Sequence, residues 1–80
     1  MRAATLSSTL IARIAYDDDR RTLKVRFRDD RAYVYFDVPP SVFHAMKTAT
    51  SAGRFYNEEL KGRYRCAFDP DRKRYRPDAA

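Results

Sequence analysis

The chain has 80 residues, 44% hydrophobic and 35% charged, with a formal net charge of +6. That length makes one small domain that buries only about 60% of its unfolded surface. Cys66 is the only cysteine, which excludes an intrachain disulfide and suits a reducing compartment. No run approaches the ~20 apolar residues of a membrane span, and Arg13 interrupts the best candidate for a signal-peptide core. A soluble, cytoplasmic protein without membrane contact is expected.

In chain order, residues 1 to 7 read as a flexible start. "TLIARIAY", 9 to 16, mixes β-branched and apolar residues and predicts a strand, with Ile14 and Tyr16 two apart on one face. "DDDRR", 17 to 21, is a turn cluster. "TLKVRFR", 22 to 28, alternates: Leu23, Val25 and Phe27 take one face, Lys24, Arg26 and Arg28 the other. Asp29 and Asp30 mark a hairpin turn, and "RAYVYFDV", 31 to 38, is the third strand. Pro39 and Pro40 end it, because proline cannot donate to a ladder but suits a helix start. "PSVFHAMKTA" predicts a short helix with Val42, Phe43 and Met46 on one stripe. Ser51 caps a second helix, whose apolar side is Phe55, Leu60 and Tyr56 and whose end is Gly62. "RYRCAF", 63 to 68, alternates again and offers a short C-terminal strand. The tail, 69 to 80, has two prolines and little to bury, so disorder is expected. It holds four basic and three acidic residues, which leaves +5 on residues 1 to 68. The expected fold is α+β: a three-stranded antiparallel meander with two short helices packed on one face.

Side-chain direction depends on register. A loop made of Asp29 and Asp30, or a four-residue loop centred there, pairs Arg26 with Tyr33, Val25 with Val34, Lys24 with Tyr35 and Leu23 with Phe36. Only an odd loop reverses the faces, since a one-residue slip turns every side chain over. A four-residue loop at 18 to 21 pairs Asp17 with Thr22, Tyr16 with Leu23 and Ile14 with Val25. The helices then cover Ile14, Tyr16, Leu23, Val25, Phe27, Val34 and Phe36. The opposite face reads Arg13, Ala15, Lys24, Arg26, Tyr33 and Tyr35.

A basic face with interleaved rings suits single-stranded nucleic acid, whose bases stack on aromatics while cations hold the backbone. Of the 17 basic residues 13 are Arg, which stacks on bases and grips phosphate in a bidentate way. The same residues describe an ordinary sheet face, and Tyr and Arg are equally the favoured anchors of protein interfaces. Ser51, Gly53 and Arg54 form a possible phosphate site at a helix start, against which stands simple capping. His44 is alone and reads as a partly exposed helix residue, and Cys66 as a small hydrophobe. Asp17 to Asp19 match no calcium loop. No catalytic set, cofactor motif or metal site is evident.

Taken together, Ser8-Thr9-x-Ile11-x-x-Ile14-Ala15-Tyr16-Asp17, Leu23-x-Val25-x-Phe27, Tyr33-Val34-Tyr35-Phe36-Asp37-Val38-Pro39, Ser51-x-Gly53-x-Phe55-Tyr56-Asn57 and Tyr64 resemble the KTSC domain. That family is named after the C-terminal domain of some lysyl-tRNA synthetases and also occurs as small stand-alone proteins. The resemblance spans roughly residues 8 to 68, and its central Tyr-x-Tyr is matched by Tyr33 and Tyr35. Ala15 stands where a glycine is usual, Asp29-Asp30 where an Asn-Gly-like turn is usual, and the first serine pair reads Ser8-Thr9. RNA binding is the activity suggested for the family. The expectation is therefore a non-enzymatic RNA-binding module acting through Arg13, Lys24, Arg26, Tyr33 and Tyr35. The alternative is a protein-interaction or self-association module using the same face.

Overall fold

A computed structural model describes residues 1 to 68, so the tail expected to be disordered lies outside the described residues. Five strands form one sheet in chain order: β1 (Arg2–Thr5), β2 (Ile11–Asp17), β3 (Thr22–Phe27), β4 (Ala32–Tyr35) and β5 (Cys66–Phe68). Every neighbouring pair is antiparallel. Between β4 and β5 the chain crosses one face of the sheet as α1 (Pro40–Thr48) and α2 (Ala52–Phe55), and α2 runs on into a π-helical turn (Tyr56–Leu60). The α+β class, the antiparallel sheet and the two helices are as expected, but the sheet has five strands rather than three.

One extra strand is β1, within the segment expected to be a flexible start. Its sequence, Arg-Ala-Ala-Thr, carries little intrinsic strand preference. Docking supplies what propensity lacks: Ala4 pairs with Ile14 and packs on the core, and the Leu6 amide extends the ladder to the Ala12 carbonyl. The Arg2 guanidinium lies 5.7 Å from the Tyr16 ring and 5.6 Å from the Phe43 ring, and pairs with Asp18. Its stem thus closes the edge of the core while its charge stays in water. The other extra strand is β5, which the alternation of residues 63 to 68 had suggested.

The β2–β3 hairpin has the expected register, with Asp17 opposite Thr22, Tyr16 opposite Leu23 and Ile14 opposite Val25. Asp17 Oδ1 accepts from the amides of Asp19 and Arg20, an Asx turn that starts the loop. Arg21 ends the loop at φ 55°. A bulge between Ile11 and Arg13 adds one residue to β2, so Ile11 and Ile14 both face inward although they lie three apart.

The β3–β4 hairpin differs from expectation. Leu23 faces Tyr35, Lys24 faces Val34, Val25 faces Tyr33 and Arg26 faces Ala32. The Phe27 amide donates to the Arg31 carbonyl, so the loop has three residues, 28 to 30. Asp30 takes φ 76°, the left-handed residue that closes such a loop. The odd loop reverses β4: Tyr33 and Tyr35 point toward the helices, and Val34 and Phe36 do not.

After β4, Asp37 at φ 56° turns the chain so that Val38 is fully buried. The Val38 amide donates to the Arg21 carbonyl, and the buried Tyr16 hydroxyl donates to the Val38 carbonyl. Both polar groups of a buried residue are thereby satisfied. Pro40 begins α1, and Phe43 and Met46 are buried with Val42 beside them, as the stripe predicts. The Ser51 hydroxyl accepts from the Arg54 amide to cap α2, Leu60 is buried in the π turn, and Gly62 at φ 79° stops the helical segment.

Arg21 occupies a left-handed position that costs a non-glycine residue about 1 kcal/mol. Arg21→Gly is therefore expected to stabilise the domain by about 0.5–1 kcal/mol. Urea unfolding should show a higher midpoint at unchanged slope; an unchanged or lower midpoint would count against a strained loop.

Candidate functional site

The inner face carries the tyrosines. Tyr35 is 2% exposed, and its hydroxyl shares a 2.6 Å hydrogen bond with the Tyr56 hydroxyl of the π turn. The rings of Phe68, Tyr33, Phe27, Tyr56 and Tyr35 meet edge to face in sequence, with centroids 5.1 to 6.0 Å apart. Such pairs add roughly 0.5–1.5 kcal/mol each beyond the area they bury. Arg31 sits 5.5 Å above the Phe27 ring and pairs with Asp29. Tyr35 and Phe27 thus hold the helical segment to the sheet through Tyr56, and Tyr33 packs between Phe27 and Phe68. Tyr33 and Tyr35 do not share a face with Lys24 and Arg26, and the expected platform of those tyrosines beside the cations is corrected by the register.

Among the described residues no helix lies over the outer face. The pairings arrange it in rows across the strands. One row reads Ala3, Ala15, Lys24, Val34 and Ala67. On one side of it lie Thr5, Arg13, Arg26 and Ala32, and on the other Asp17 and Thr22, with Phe36 at the end of β4. Three of the expected residues, Arg13, Lys24 and Arg26, are therefore brought together. Arg13 and Arg26 stand directly opposite each other across β2 and β3, with Lys24 two residues from Arg26. Among the small side chains is an open concavity of about 520 Å³ lined by Ala15, Asp17, Arg20, Thr22, Lys24, Val34 and Phe36, together with Met1, Ala67 and Phe68. Two residues of this face were not singled out from the sequence. Phe36 takes the place expected for the tyrosines, and Arg65 lies 5.1 Å over its ring. Their signal was the parity of β4, which both alternating sets of apolar residues satisfied equally.

Ser51, Gly53 and Arg54 fall at the start of α2, where the Ser51 hydroxyl is the cap and Arg54 pairs with Glu58. Ser51 and Gly53 line a hydroxyl-rich groove of about 320 Å³ with Ser7, Ser8, Thr9 and Thr50. A β-carbon on Gly53 would lie 3.4 Å from Leu10, so a small residue lets α2 approach the β1–β2 loop. Ser8 Oγ accepts from the amides of Leu10 and Ile11, and Arg28 donates to the carbonyls of Ser8 and Leu6. Arg28 is thus a staple for that loop, a role its alternating position in the sequence did not reveal. His44 is exposed, with Arg2 Nη1 3.4 Å from its Nε2, and Cys66 is exposed. Among the described residues no three His, Cys, Asp or Glu gather to hold a metal, and no helix is long and apolar enough to cross a membrane.

The Tyr35 phenol is held well above the ordinary tyrosine range, first by burial and then by its bond to Tyr56. In the unfolded chain it ionises near pH 10. Its neutral, bonded form therefore contributes full stability below about pH 10, and that contribution is lost as pH rises beyond. Tyr35→Phe is expected to cost about 1 kcal/mol at pH 7, with the gap to wild type narrowing above about pH 10. Tyr35→Ala should cost about 3–5 kcal/mol through the cavity it leaves. Denaturant curves from pH 7 to 11 check both, and a Tyr35→Ala domain as stable as wild type would contradict the inward orientation.

Comparison with known proteins places these motifs in context. The KTSC domain family model matches residues 7 to 64. A protein of Tsukamurella paurometabola is 38% identical over 60 residues, covering 75% of this chain and 90% of that one. A lysine–tRNA ligase of Nostoc punctiforme is 33% identical over 57 residues, which cover 71% of this chain but only 10% of the ligase. The crystal structure of a KTSC domain protein from Yersinia pestis superposes with a TM-score of 0.80 at 34% identity, covering 85% of this chain and 96% of that one.

Proposed function

This chain belongs to the KTSC domain family, and we propose that it is a binding module, not a catalyst, that holds single-stranded nucleic acid, RNA foremost, on the outer face of its sheet. The carrying observation is the cross-strand pair of Arg13 and Arg26, with Lys24 two residues from Arg26 on β3, on a face that no helix covers among the described residues. Strand rise puts Lys24 and Arg26 about 7 Å apart along β3, a spacing at which an anionic backbone crossing the strands meets Arg13, Lys24 and Arg26 in turn. The net charge of +6 draws such a partner from a distance. Phe36, under the Arg65 guanidinium, is the ring on which a base stacks in this reading. The lysine–tRNA ligase relative lends it company, since that protein's own name carries an RNA.

A second reading uses the same face for a protein partner or a second copy, and the small and apolar residues Ala3, Ala15, Val34 and Ala67 favour it. A symmetric dimer with its axis through these cations, however, would bring Arg13, Lys24 and Arg26 of both copies together, and like charges across an interface cost several kcal/mol. Charge therefore favours nucleic acid.

Three phosphate contacts on a single strand give a slope of log affinity against log salt near −2. Anisotropy titration of a labelled single-stranded RNA should thus weaken roughly tenfold between about 50 and 150 mM salt. Arg13→Ala/Arg26→Ala should lower affinity and flatten the slope to about −0.7. Absence of saturable binding at low salt would sink the reading, and a stable dimer by sedimentation that binds no RNA would favour the second.

A further inference from the structure

Resting on that reading of the outer face, we propose that the concavity between β2, β3 and β4 seats one unpaired base that carries an amino group on its pairing edge. The seat is built by the register. Ala15 and Val34 flank Lys24 in a row of short side chains, so there is a floor where the neighbouring row carries two arginines. Phe36, Thr22 and Asp17 line it on the side away from the Arg13–Arg26 pair, and Arg20 lines it too. The volume, about 520 Å³, lies within the range of small-ligand sites, roughly 300–1,000 Å³.

Asp17 is the informative residue. A carboxylate repels phosphate, so a face that only tracked a backbone would do better without it. Its Oδ1 is engaged by the amides of Asp19 and Arg20. A carboxylate has a second oxygen with its own acceptor sites, and that oxygen accepts from the amino group of adenine, cytosine or guanine. Uracil presents carbonyl oxygens, which repel a carboxylate, on both sides of its single N3–H donor. With the base in the seat, its backbone runs toward Lys24 and the Arg13–Arg26 pair. A base already paired in a duplex has its edge engaged and cannot enter, so the seat selects single strands.

Anisotropy titrations at low salt test this with oligo-A, oligo-C and oligo-U of equal length and with a duplex. Three chains are compared: wild type, Ala15→Leu, which fills the floor from outside the core, and Asp17→Asn, which keeps a carbonyl oxygen for the turn amides but offers an NH2 group to the base. Circular dichroism and thermal unfolding confirm that each variant is folded. Wild type is expected to bind oligo-A and oligo-C at least about fivefold more tightly than oligo-U, and single strands about tenfold more tightly than duplex. Ala15→Leu should lose both preferences while keeping the salt-dependent binding of the arginines. Asp17→Asn should bring the A-to-U ratio to one or below, even though losing a negative charge raises overall affinity. Wild type binding all oligomers and the duplex alike, or ratios unmoved in either variant, overturns the seat and leaves the backbone-binding reading standing. No binding by wild type overturns both.

Discussion

The three-residue loop between β3 and β4 is the constraint on which the rest depends. Two aspartates in succession permit a loop of two, three or four residues, and each choice of odd or even sends β4 in with the opposite face. Asp30 tolerates a left-handed backbone at φ 76° better than most residues, because its short polar side chain can hydrogen-bond locally. Once the loop is odd, Tyr35 must be buried, and a buried phenol needs a polar partner. The π turn after α2 places Tyr56 where it can be that partner. The helical segment, the turn and the tyrosine therefore form one consistent set.

From this the two faces acquire different duties. The inner face holds the large rings, Tyr16, Phe27, Tyr33 and Tyr35, with Phe43, Met46 and Leu60 from the helical layer over them. Arginines complete its margins: Arg2 over Tyr16 and Phe43 at one side, Arg31 over Phe27 at the other. In a domain this small, long side chains with apolar stems extend a core that has too few apolar residues to close itself. The outer face is left with alanines, Val34, threonines and the cations, with Asp17 and Phe36 beside them, a low surface with isolated tall groups. That relief is what gives the face a concavity as well as a charge.

Much of the local structure was legible. The β2–β3 register, the helix start at Pro40, the Phe43–Met46 stripe, the Ser51 cap and the Gly62 stop all follow from residues that act within a few positions of themselves. The candidate site was legible only in part: Arg13, Lys24 and Arg26 belong to hairpins whose parity was read correctly, but the aromatic component was assigned to the wrong parity of β4. Residues 33 to 36 are apolar on both alternations, Tyr33 and Tyr35 against Val34 and Phe36, so periodicity carried no information there. Strand β1 was hidden for a different reason. Its four residues become a strand by packing against β2 and not by preference of their own.

What the sequence determined by itself was the class of fold, the family, the positions of turns and helix ends, and a basic β2–β3 surface. Each of these is set by short-range chemistry: proline and glycine geometry, side-chain capping, strict alternation, and the excess of arginine. What the tertiary structure decided was which tyrosines are buried, that Phe36 faces outward, and that residues 2 to 5 join the sheet. Those outcomes turn on a single residue of loop length and on the volume available beneath the helices. Both depend on contacts between segments far apart in the chain, such as Tyr35 with Tyr56 and Arg2 with Phe43.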